Sequence, residues 1–471
     1  MSIARKIFIN TVAQTAGKII AIAVGLLNLG LLTRYLGEQG FGQYSTVLAF
    51  LGFVVTFADL GLYLYVVREI SREGAASHKI ISNALGLRLV LSLASLLCGA
   101  VIALFFPYAA VVKKTMFLGI LALVFASLYQ VLIGIFQKHL VQYLTLIAEV
   151  AGRVFNLLLV YLFIRQGLGL PYFILALTVG NFVIFSLTVL YAKRYESFGI
   201  AFDFQFWKKI LAVSWPLAFS VILNLIYFKT DTLILSVYHS AESVGVYSLP
   251  YKILEVSLAF PGMFVGLIMP ILSRHAFSTW DKFQAVLQRA FDALLLTAIP
   301  MVISTWFFSE QIINLVKGQV SYQDSPAVFR ILIFATAIIF LGTLFGYAVV
   351  AVDRQKAMIW GYLAGAVIGL VSYFLLIPKY SYFGAAYGTV LTELVVACVA
   401  YVLVRQSMPA GLSLKTALSS LPAVLILILF FKIFHFGWVV EMASGLIVYL
   451  VLLFAFRALP LELIKQLTVR E

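Results

Sequence analysis

The residues from Asn10 to Leu32 read NTVAQTAGKIIAIAVGLLNLGLL and contain a single charge, on Lys18. About 20 predominantly apolar residues are enough to cross a bilayer as a helix. Asn10, Gln14 and Lys18 recur every four residues, and Asn28 lies further along the same helical face. A lysine inside a membrane helix is costly unless it faces protein, water or a charged ligand. The stretch therefore predicts a membrane-spanning helix with a polar, cationic face.

The composition of the whole chain extends this prediction to a polytopic membrane protein. Of the 471 residues, 63% are hydrophobic and 11% are charged, and the mean hydropathy is +1.06. Soluble domains are typically about half apolar and about a quarter charged. The sequence has no G-x-x-x-x-G-K-[ST] loop for ATP and no histidine spacing typical of a metal site. We therefore predict a protein that is not an enzyme, with no catalytic residues, no metal site and no cofactor.

Fourteen segments are predicted to span the membrane, joined by short loops. They are 8–34, 41–66, 80–106, 115–137, 143–165, 170–192, 209–238, 242–272, 283–308, 327–351, 357–378, 382–404, 414–434 and 438–457. With the N-terminus inside, the inner loops hold twenty lysines and arginines, the outer loops eight and the spans five, which accounts for all 33. The positive-inside rule then predicts a multi-pass plasma (inner) membrane protein with both termini cytoplasmic. The net charge of +14 is attributed to these loops and the buried cations rather than to nucleic-acid binding.

An internal repeat divides the chain. Leu31–Ser45 reads LLTRYLGEQGFGQYS and Leu233–Ser248 reads LILSVYHSAESVGVYS, and their Gly-x-Tyr-Ser ends are 203 residues apart. Both copies lie between a span that runs outward and one that returns, so the repeat has parallel topology. The alternative is that Gly-x-Tyr-Ser is simply a common turn. The repeat predicts an all-α fold with a six-helix lobe at 1–195, a cytoplasmic linker at 196–208, a second six-helix lobe at 209–405, and helices 13 and 14 with a tail at 406–471.

Three cations in the first lobe are predicted at one depth. Lys18, Arg88 and Arg153 lie eight to ten residues into their spans, which is roughly 12–15 Å at 1.5 Å per residue. Asp59 could pair with Arg88, and Glu149 could pair with Arg153 at i,i+4. One cation then remains. Lys18 could be neutral, extend to the membrane surface or meet an anionic ligand, and we favour the ligand.

Further polar residues within spans are candidates to line a cavity or form a gate. In the second lobe, two cations balance two anions on spans seven and eight; they form either a network that opens and closes or a fixed interface. Glu393 is a candidate for proton or sodium coupling, or a protonated acid held by hydrogen bonds within its lobe. The cavity and gating candidates are Asn10, Gln14, Asn28, Asp59, Glu149, Asn156, Asn224, Tyr227, Lys229, Asp231, Lys252 and Glu255.

Three motifs together resemble those of a known family. They are the opening N-x-x-x-Q-x-x-x-K helix, then R-Y-L-G-E-Q-G-F-G-Q-Y, then A-D-L-G-L in span two. The second copy also resembles helices seven and eight of that family; it reads K-T-D-T-L-I-L-S-V-Y, followed by S-V-G-V-Y-S-L-P-Y-K-I-L-E. The chain resembles the polysaccharide (Wzx-type) flippases of the multidrug/oligosaccharidyl-lipid/polysaccharide (MOP) exporter superfamily. The resemblance implies two six-helix lobes in a V-shaped, MATE-like arrangement around a central cavity, with two C-terminal helices flanking a lipid-facing groove.

The resemblance also implies a function. Such a flippase moves an undecaprenyl-pyrophosphate-linked oligosaccharide repeat unit, as in O-antigen biosynthesis, from the cytoplasmic to the outer leaflet by alternating access. The pyrophosphate would bind Lys18, Arg88 and Arg153, and a proton or sodium gradient, or downstream use of the product, would drive transport. The expected partners are this lipid-linked glycan, membrane lipids, and the polymerase and other glycan-assembly proteins around a monomeric transporter. The alternatives are a lipid II-type flippase, a cation-coupled multidrug exporter and a non-transporting scaffold.

Overall fold

The computed structural model describes residues 3–59, 61–72, 74, 76–276, 279–408, 411–456 and 458, and leaves the side chains of 3–15, 57–59, 64, 216–218, 220, 221, 224 and 227 outside the description. Across these ranges the chain forms helices and loops without a strand, which confirms the all-α prediction. The helices are α1 (Ile3–Asp59), α2 (Leu62–Ile70), α3 (Ser77–Phe105), α4 (Ala110–Lys138), α5 (Tyr143–Arg165), α6 (Leu170–Ala192), α7 (Phe204–Tyr238), α8 (Ala241–Ser257), α9 (Ala259–His275), α10 (Trp280–Lys317), α11 (Ser325–Ala351), α12 (Gln355–Arg405), α13 (Lys415–Ile433) and α14 (Trp438–Ala455).

The helices do not correspond one to one with the predicted spans. Helices α1 and α12, with 57 and 51 residues, are each too long for one crossing, and each bends where the backbone leaves helical geometry, at Gly37 and at Ser381. Each therefore contains two predicted spans. Within the described residues, eleven helical stretches are long and apolar enough to cross a membrane, counting these two long helices once each. The prediction of a polytopic helical membrane protein is confirmed.

Two predicted spans are interrupted. The span at 41–66 breaks at Gly61, whose φ of 71° is left-handed and suits glycine. The span at 242–272 comprises α8 and α9, which are separated at Leu258, and Ala241–His275 as a whole still forms one candidate membrane span. The reason for the separation is Pro261, which has no N–H to donate to the carbonyl of Ser257, so α8 ends at that residue.

The chain separates into two compact units. Unit 1 comprises 1–248 and 316–322, and unit 2 comprises 249–315 and 323–471. In unit 2, α10, α13 and α14 share an apolar core that contains Phe308, Leu427 and Phe431, and the Tyr449 hydroxyl donates to the Leu296 carbonyl at 3.3 Å. The lobe boundaries at 195 and 209 stay a prediction.

The linker between the predicted lobes is docked on α3. The Ser82 hydroxyl accepts a hydrogen bond from the Gly199 N–H, and the Asn83 side chain accepts one from the Asp203 N–H, both at 3.0 Å. Asp203 also caps α7 by accepting from the Phe206 N–H at 3.0 Å. Because these bonds satisfy the loop backbone, residues 199–203 are held in one position.

An apolar cluster lies beneath the docked linker. Trp207 is buried together with Leu62, Leu87 and Ile210. The cluster joins the start of α7 to α2 and α3, and it covers the residue that follows the break at Gly61.

Glu196 is the ionic anchor of the linker. Its carboxylate accepts from Lys138 Nζ at 2.6 Å and contacts His139 Nε2 at 3.1 Å. Partial burial acts to raise the pKa of Glu196, but the hydrogen bonds and charges of Lys138 and His139 outweigh it, so the pKa lies below its usual value. Asp203 likewise has a lowered pKa, because its carboxylate accepts the Phe206 N–H and lies near Lys79.

The lowered pKa of Glu196 predicts a pH-dependent contribution to stability. A carboxyl whose pKa falls on folding stabilises the protein above its unfolded pKa, and this contribution is lost as pH falls through the folded pKa. We expect Glu196→Gln to lower the free energy of unfolding by up to about 1 kcal/mol at pH 7, because the ion pair is partly exposed. The difference from the parent should shrink between pH 5 and pH 3 in thermal unfolding of detergent-purified protein.

Glu310→Gln is the matched control for this prediction. Glu310 pairs with Arg330 at 3.4 Å but is 65% exposed, so we expect little change in stability at either pH. A deficit of Glu196→Gln that is the same at pH 7 and pH 3 would contradict the assignment of Glu196 as the anchor.

Candidate functional site

A cavity of about 220 Å³ lies inside unit 1, between α1, α4, α5 and α6. It contains charged and amide side chains that an apolar bundle would not otherwise carry. Its lining residues are Val24, Gly25, Asn28, Tyr129, Glu149, Gly152, Arg153, Asn156, Leu177, Gly180, Asn181 and Ile184. Four candidates predicted from the sequence therefore meet at one place: Asn28, Glu149, Arg153 and Asn156.

Arg153 presents an open cation to this cavity. Its side chain is exposed, and its Nη1 lies 3.9 Å from the position that a Cβ on Gly25 would occupy, so the guanidinium lies against α1. The predicted partner, Glu149, interacts with Arg153 through its charge. Among the described residues, however, no ion pair within 4 Å joins Glu149 to Arg153.

Lys18 adds a second cation near the same carboxylate. Its side chain is exposed, and its charge acts on Glu149 together with that of Arg153. Two cations therefore act on one carboxylate, and neither is covered by protein. Lys18 does not line the cavity itself, so the convergence of Lys18 and Arg153 on one ligand stays a prediction.

Amide groups complete the polar wall of the cavity. Asn28 donates from Nδ2 to Asn156 Oδ1 at 3.0 Å, and Asn28 Oδ1 is buried without a hydrogen-bond partner within the described part of the chain. Asn181 donates to the Ala122 carbonyl at 3.0 Å. Sequence reasoning missed Asn181 and Tyr129, although Asn181 is the one amide side chain in the otherwise apolar α6.

Arg88 lies elsewhere and is fully buried. Its Nε donates to the Ser127 carbonyl at 3.2 Å and its Nη2 donates to Gln130 Oε1 at 2.7 Å. Ser92 donates to the Ser127 hydroxyl at 2.9 Å beside it. These contacts place the guanidinium between α3 and α4, and Arg88 does not line the cavity.

Apart from Glu393, the remaining candidates fall into two groups. The side chains of Asn10, Gln14, Asp59, Asn224 and Tyr227 lie outside the described residues. Others contact side chains of the same or the adjacent helix: Lys252 pairs with Glu255 at 2.7 Å, buried Asp231 accepts from the Tyr247 hydroxyl at 2.5 Å, and Lys229 lies over the Phe228 ring.

Glu393 is buried in α12 beside Thr389 and Thr392. Both threonine hydroxyls donate to carbonyls of their own helix, and the Tyr373 hydroxyl lies 3.4 Å from that of Thr389. Glu393 therefore lies in a polar layer of unit 2, as either interpretation of this residue requires.

The size and charge of the cavity limit what it can bind. Drug-sized ligands occupy about 300–1,000 Å³, so a cavity of about 220 Å³ suits a small polar group rather than a whole oligosaccharide. Exposed cations in a low-dielectric wall suit an anion, and a guanidinium can bind phosphate oxygens bidentately. No group of three or more metal-binding side chains occurs among the described residues.

Comparison with known proteins identifies the class of this fold. The family described as "Polysaccharide biosynthesis protein" matches residues 3–276, and the MatE family matches residues 216–375. The chain is 21% identical over 396 residues to a putative O-antigen transporter of Shigella flexneri, covering 80% of this chain and 92% of that protein. It is 23% identical over 278 residues to the capsular polysaccharide biosynthesis protein CapF of Staphylococcus aureus, covering 58% of this chain and 69% of that protein.

Solved structures share the fold at low sequence identity. The lipid II flippase MurJ in an inward closed conformation has a TM-score of 0.78 at 14% identity, and covers 96% of this chain and 99% of MurJ. An inward-facing MATE multidrug transporter of the MOP superfamily has a TM-score of 0.66 at 15% identity, over 84% of this chain and 97% of that one. The chain therefore belongs to the polysaccharide biosynthesis protein family and is a multi-pass flippase-type transporter of the MOP superfamily.

Proposed function

We propose that this protein moves an undecaprenyl-pyrophosphate-linked oligosaccharide from the cytoplasmic to the outer leaflet of the plasma membrane, with both termini in the cytoplasm. The observation that carries the proposal is the polar cavity of unit 1, which is lined by Arg153 and Glu149, together with the exposed Lys18, which does not line the cavity but whose charge also acts on Glu149. The names of the relatives, an O-antigen transporter and a capsular polysaccharide biosynthesis protein, support a lipid-linked glycan as the substrate class.

Electrostatics favours an anionic head group at this site. An uncompensated cation inside a membrane bundle costs several kcal/mol unless it finds a counterion or water. Glu149 offers one negative charge to two cations and forms a close ion pair with neither in the described part of the chain. A pyrophosphate provides two or more negative charges and several acceptor oxygens, so its binding compensates both cations at once.

The small size of the cavity supports separate places for the parts of the proposed substrate. A volume of about 220 Å³ corresponds to roughly seven waters at about 30 Å³ each. We propose that the phosphates enter this cavity while the sugars remain in a larger aqueous space outside it and the polyprenyl chain stays in lipid. The cavity then recognises the pyrophosphate that such lipids share and makes no contact with the sugars.

The cations of the cavity should be needed for transport and not for folding. Arg153→Ala and Lys18→Ala each remove a charge-assisted contact worth about 1.5–3 kcal/mol, so we expect transport to fall roughly tenfold to a hundredfold. Arg153→Lys should retain part of the activity, because it keeps the charge and loses the bidentate geometry. The measurement is polymer production by a strain that carries the variant in place of this gene, normalised to protein level.

Lys114→Ala is the control for loss of a lysine, because Lys114 is exposed near the start of α4 and does not line the cavity. The docking proposal would be wrong if Arg153→Ala and Lys18→Ala both produced normal amounts of polymer at normal protein level.

Arg88 is expected to behave differently from the cavity cations. We propose that its first role is to hold α3 on α4, because it is fully buried and hydrogen-bonded in this conformation. Arg88→Ala leaves the Ser127 carbonyl and Gln130 without this donor, at a cost of about 1–3 kcal/mol for each buried acceptor left unsatisfied. We expect the amount of folded protein in the membrane to drop, as measured by fluorescence-detected size exclusion; a well-folded variant with selective loss of transport would instead return Arg88 to the docking set.

Glu393 is the proposed coupling residue for a proton or sodium ion. If the driving ion binds there, Glu393→Gln should leave a residual transport that no longer responds when the gradient is collapsed with an ionophore. The parent should lose most of its transport under the same treatment. Parent transport that persists unchanged without a gradient would remove Glu393 from this role.

Two alternative functions, a multidrug exporter and a lipid II-type flippase, can be distinguished from the proposed one. The charge of the cavity bears on the first, and the polymer lost when the gene is deleted bears on the second. A multidrug exporter for cationic compounds would need an acidic cavity, whereas Glu149, the acidic residue that lines this cavity, shares it with Arg153 and is also acted on by the charge of Lys18. A lipid II-type flippase would bind the same pyrophosphate, so the site itself does not distinguish it. Loss of the gene should halt the secreted polymer while leaving peptidoglycan synthesis intact; arrest of peptidoglycan synthesis would favour the lipid II function.

A further inference from the structure

The two copies of the repeated motif cross each other at their glycines. A Cβ on Gly42 would lie 1.7 Å from the carbonyl oxygen of Ala241, and a Cβ on Gly245 would lie 2.1 Å from the carbonyl oxygen of Glu38. Both obstructing atoms belong to the backbone, so they cannot rotate away. The start of α8 and the part of α1 that follows its bend therefore touch through backbone, at positions where no side chain fits.

This contact is reciprocal under the repeat. Gly42 and Gly245 are 203 residues apart, and so are Glu38 and Ala241. Each copy therefore uses the same glycine to contact the same carbonyl position of the other copy. An isologous contact of this kind arises where a two-fold axis passes through the interface, and here it relates two halves of one chain.

Two serines of the motif are buried beside the crossing without partners. Ser45 and Ser248 each follow their glycine by three residues and so lie on the same helical face. Their exposed fractions are 4% and 3%. Both hydroxyls lack a hydrogen-bond partner within the described part of the chain. A buried, unsatisfied hydroxyl costs free energy that water would return if the two helices separated.

A third segment closes over the same end of unit 1. The Tyr322 hydroxyl donates to the Gly37 carbonyl at 2.9 Å, and Arg34 Nε donates to the Val316 carbonyl at 3.0 Å. The segment 316–322 thereby covers the bend of α1 just before the crossing. Such a seal depends on a few hydrogen bonds to backbone carbonyls rather than on a large interdigitated core.

We propose that the Gly42–Gly245 crossing is the outer gate of the transporter, closed in this structure by the two motif copies in pseudo-two-fold contact. The proposal rests on the transport function argued above. The crossing lies at the ends of the predicted spans that face outward, and it joins the two halves that the repeat defines. Glycine brings the backbones close enough to exclude water, and the unsatisfied serines reduce the free energy needed to part them.

A cysteine reporter tests the gate without reference to any substrate. Cys98 and Cys398 are replaced by alanine, and Ser45→Cys or Ser248→Cys is introduced as the reporter. Intact cells are treated with a membrane-impermeant maleimide. We expect slow labelling of both reporters, at similar rates, because each opening uncovers both. Gly42→Ala or Gly245→Ala should raise the labelling rate severalfold and lower transport, because the added methyl group holds the backbones apart.

Gly52→Ala is the matched control, because Gly52 is also in α1 and its added Cβ would meet nothing within 4 Å. Labelling there should equal that of the reporter alone. The proposal is overturned if the alanine variants fold and label like the parent, or if the reporters label only in inverted vesicles. It is also overturned if both reporters stay unlabelled in the chain that keeps Gly42 and Gly245. This measurement can be made even if the alanine variants fail to accumulate. The two proposals can fail separately. If the reporters label as expected but Arg153→Ala and Lys18→Ala transport normally, the docking proposal is rejected and the gate proposal is retained.

Discussion

The polar side chains of unit 1 are arranged around one constraint, the free-energy cost of holding a cation inside a bundle of membrane helices. Two arginines at similar predicted depth meet this cost in different ways. Arg88 is buried in protein, with a backbone carbonyl and an amide as acceptors, so its guanidinium is hydrogen-bonded before any ligand arrives. Arg153 lines a cavity together with one carboxylate, that of Glu149, with which it forms no ion pair within 4 Å among the described residues. Both solutions need neighbouring residues, either to hydrogen-bond the buried guanidinium or to form a cavity around the exposed one. The contrast between Arg88 and Arg153 therefore indicates that Arg153 is the cation kept available for a ligand.

The backbone is subject to the same constraint. Polar backbone groups cannot be left facing lipid, so a broken helix is tolerated at membrane depth only where protein covers it. The break at Gly61 meets this condition, because Leu62 is packed with Leu87 and Trp207 under the docked linker. The linker is thus part of the fold of unit 1 and not only a connection between lobes. Its hydrogen bonds to Ser82 and Asn83 keep Trp207 in place over the break.

Much of the fold follows from the sequence because bilayer thickness fixes the length of a span and charge fixes its direction. Residue type alone does not locate the break before Pro261, because Pro250, Pro270 and Pro300 lie inside helices. Nor could the contrast between Arg88 and Arg153 be predicted, since it depends on Ser127 and Gln130, which lie 39 and 42 residues from Arg88 on another helix. Hydropathy places a residue at a depth, but only packing decides which neighbour it meets.

The repeat has a consequence that neither copy shows alone. Position by position, the copies agree in the backbone features of the crossing, with glycine at 42 and 245 and serine at 45 and 248, while Lys18 corresponds to Val221 and has no charged counterpart. A gate in which two halves part needs matching surfaces on both, because each half is the other's seal. A phosphate group needs cations on one side only, since a second cationic site would compete for the same head group. Symmetry is therefore retained at the crossing and lost at the cavity, as expected if the first part moves and the second part binds.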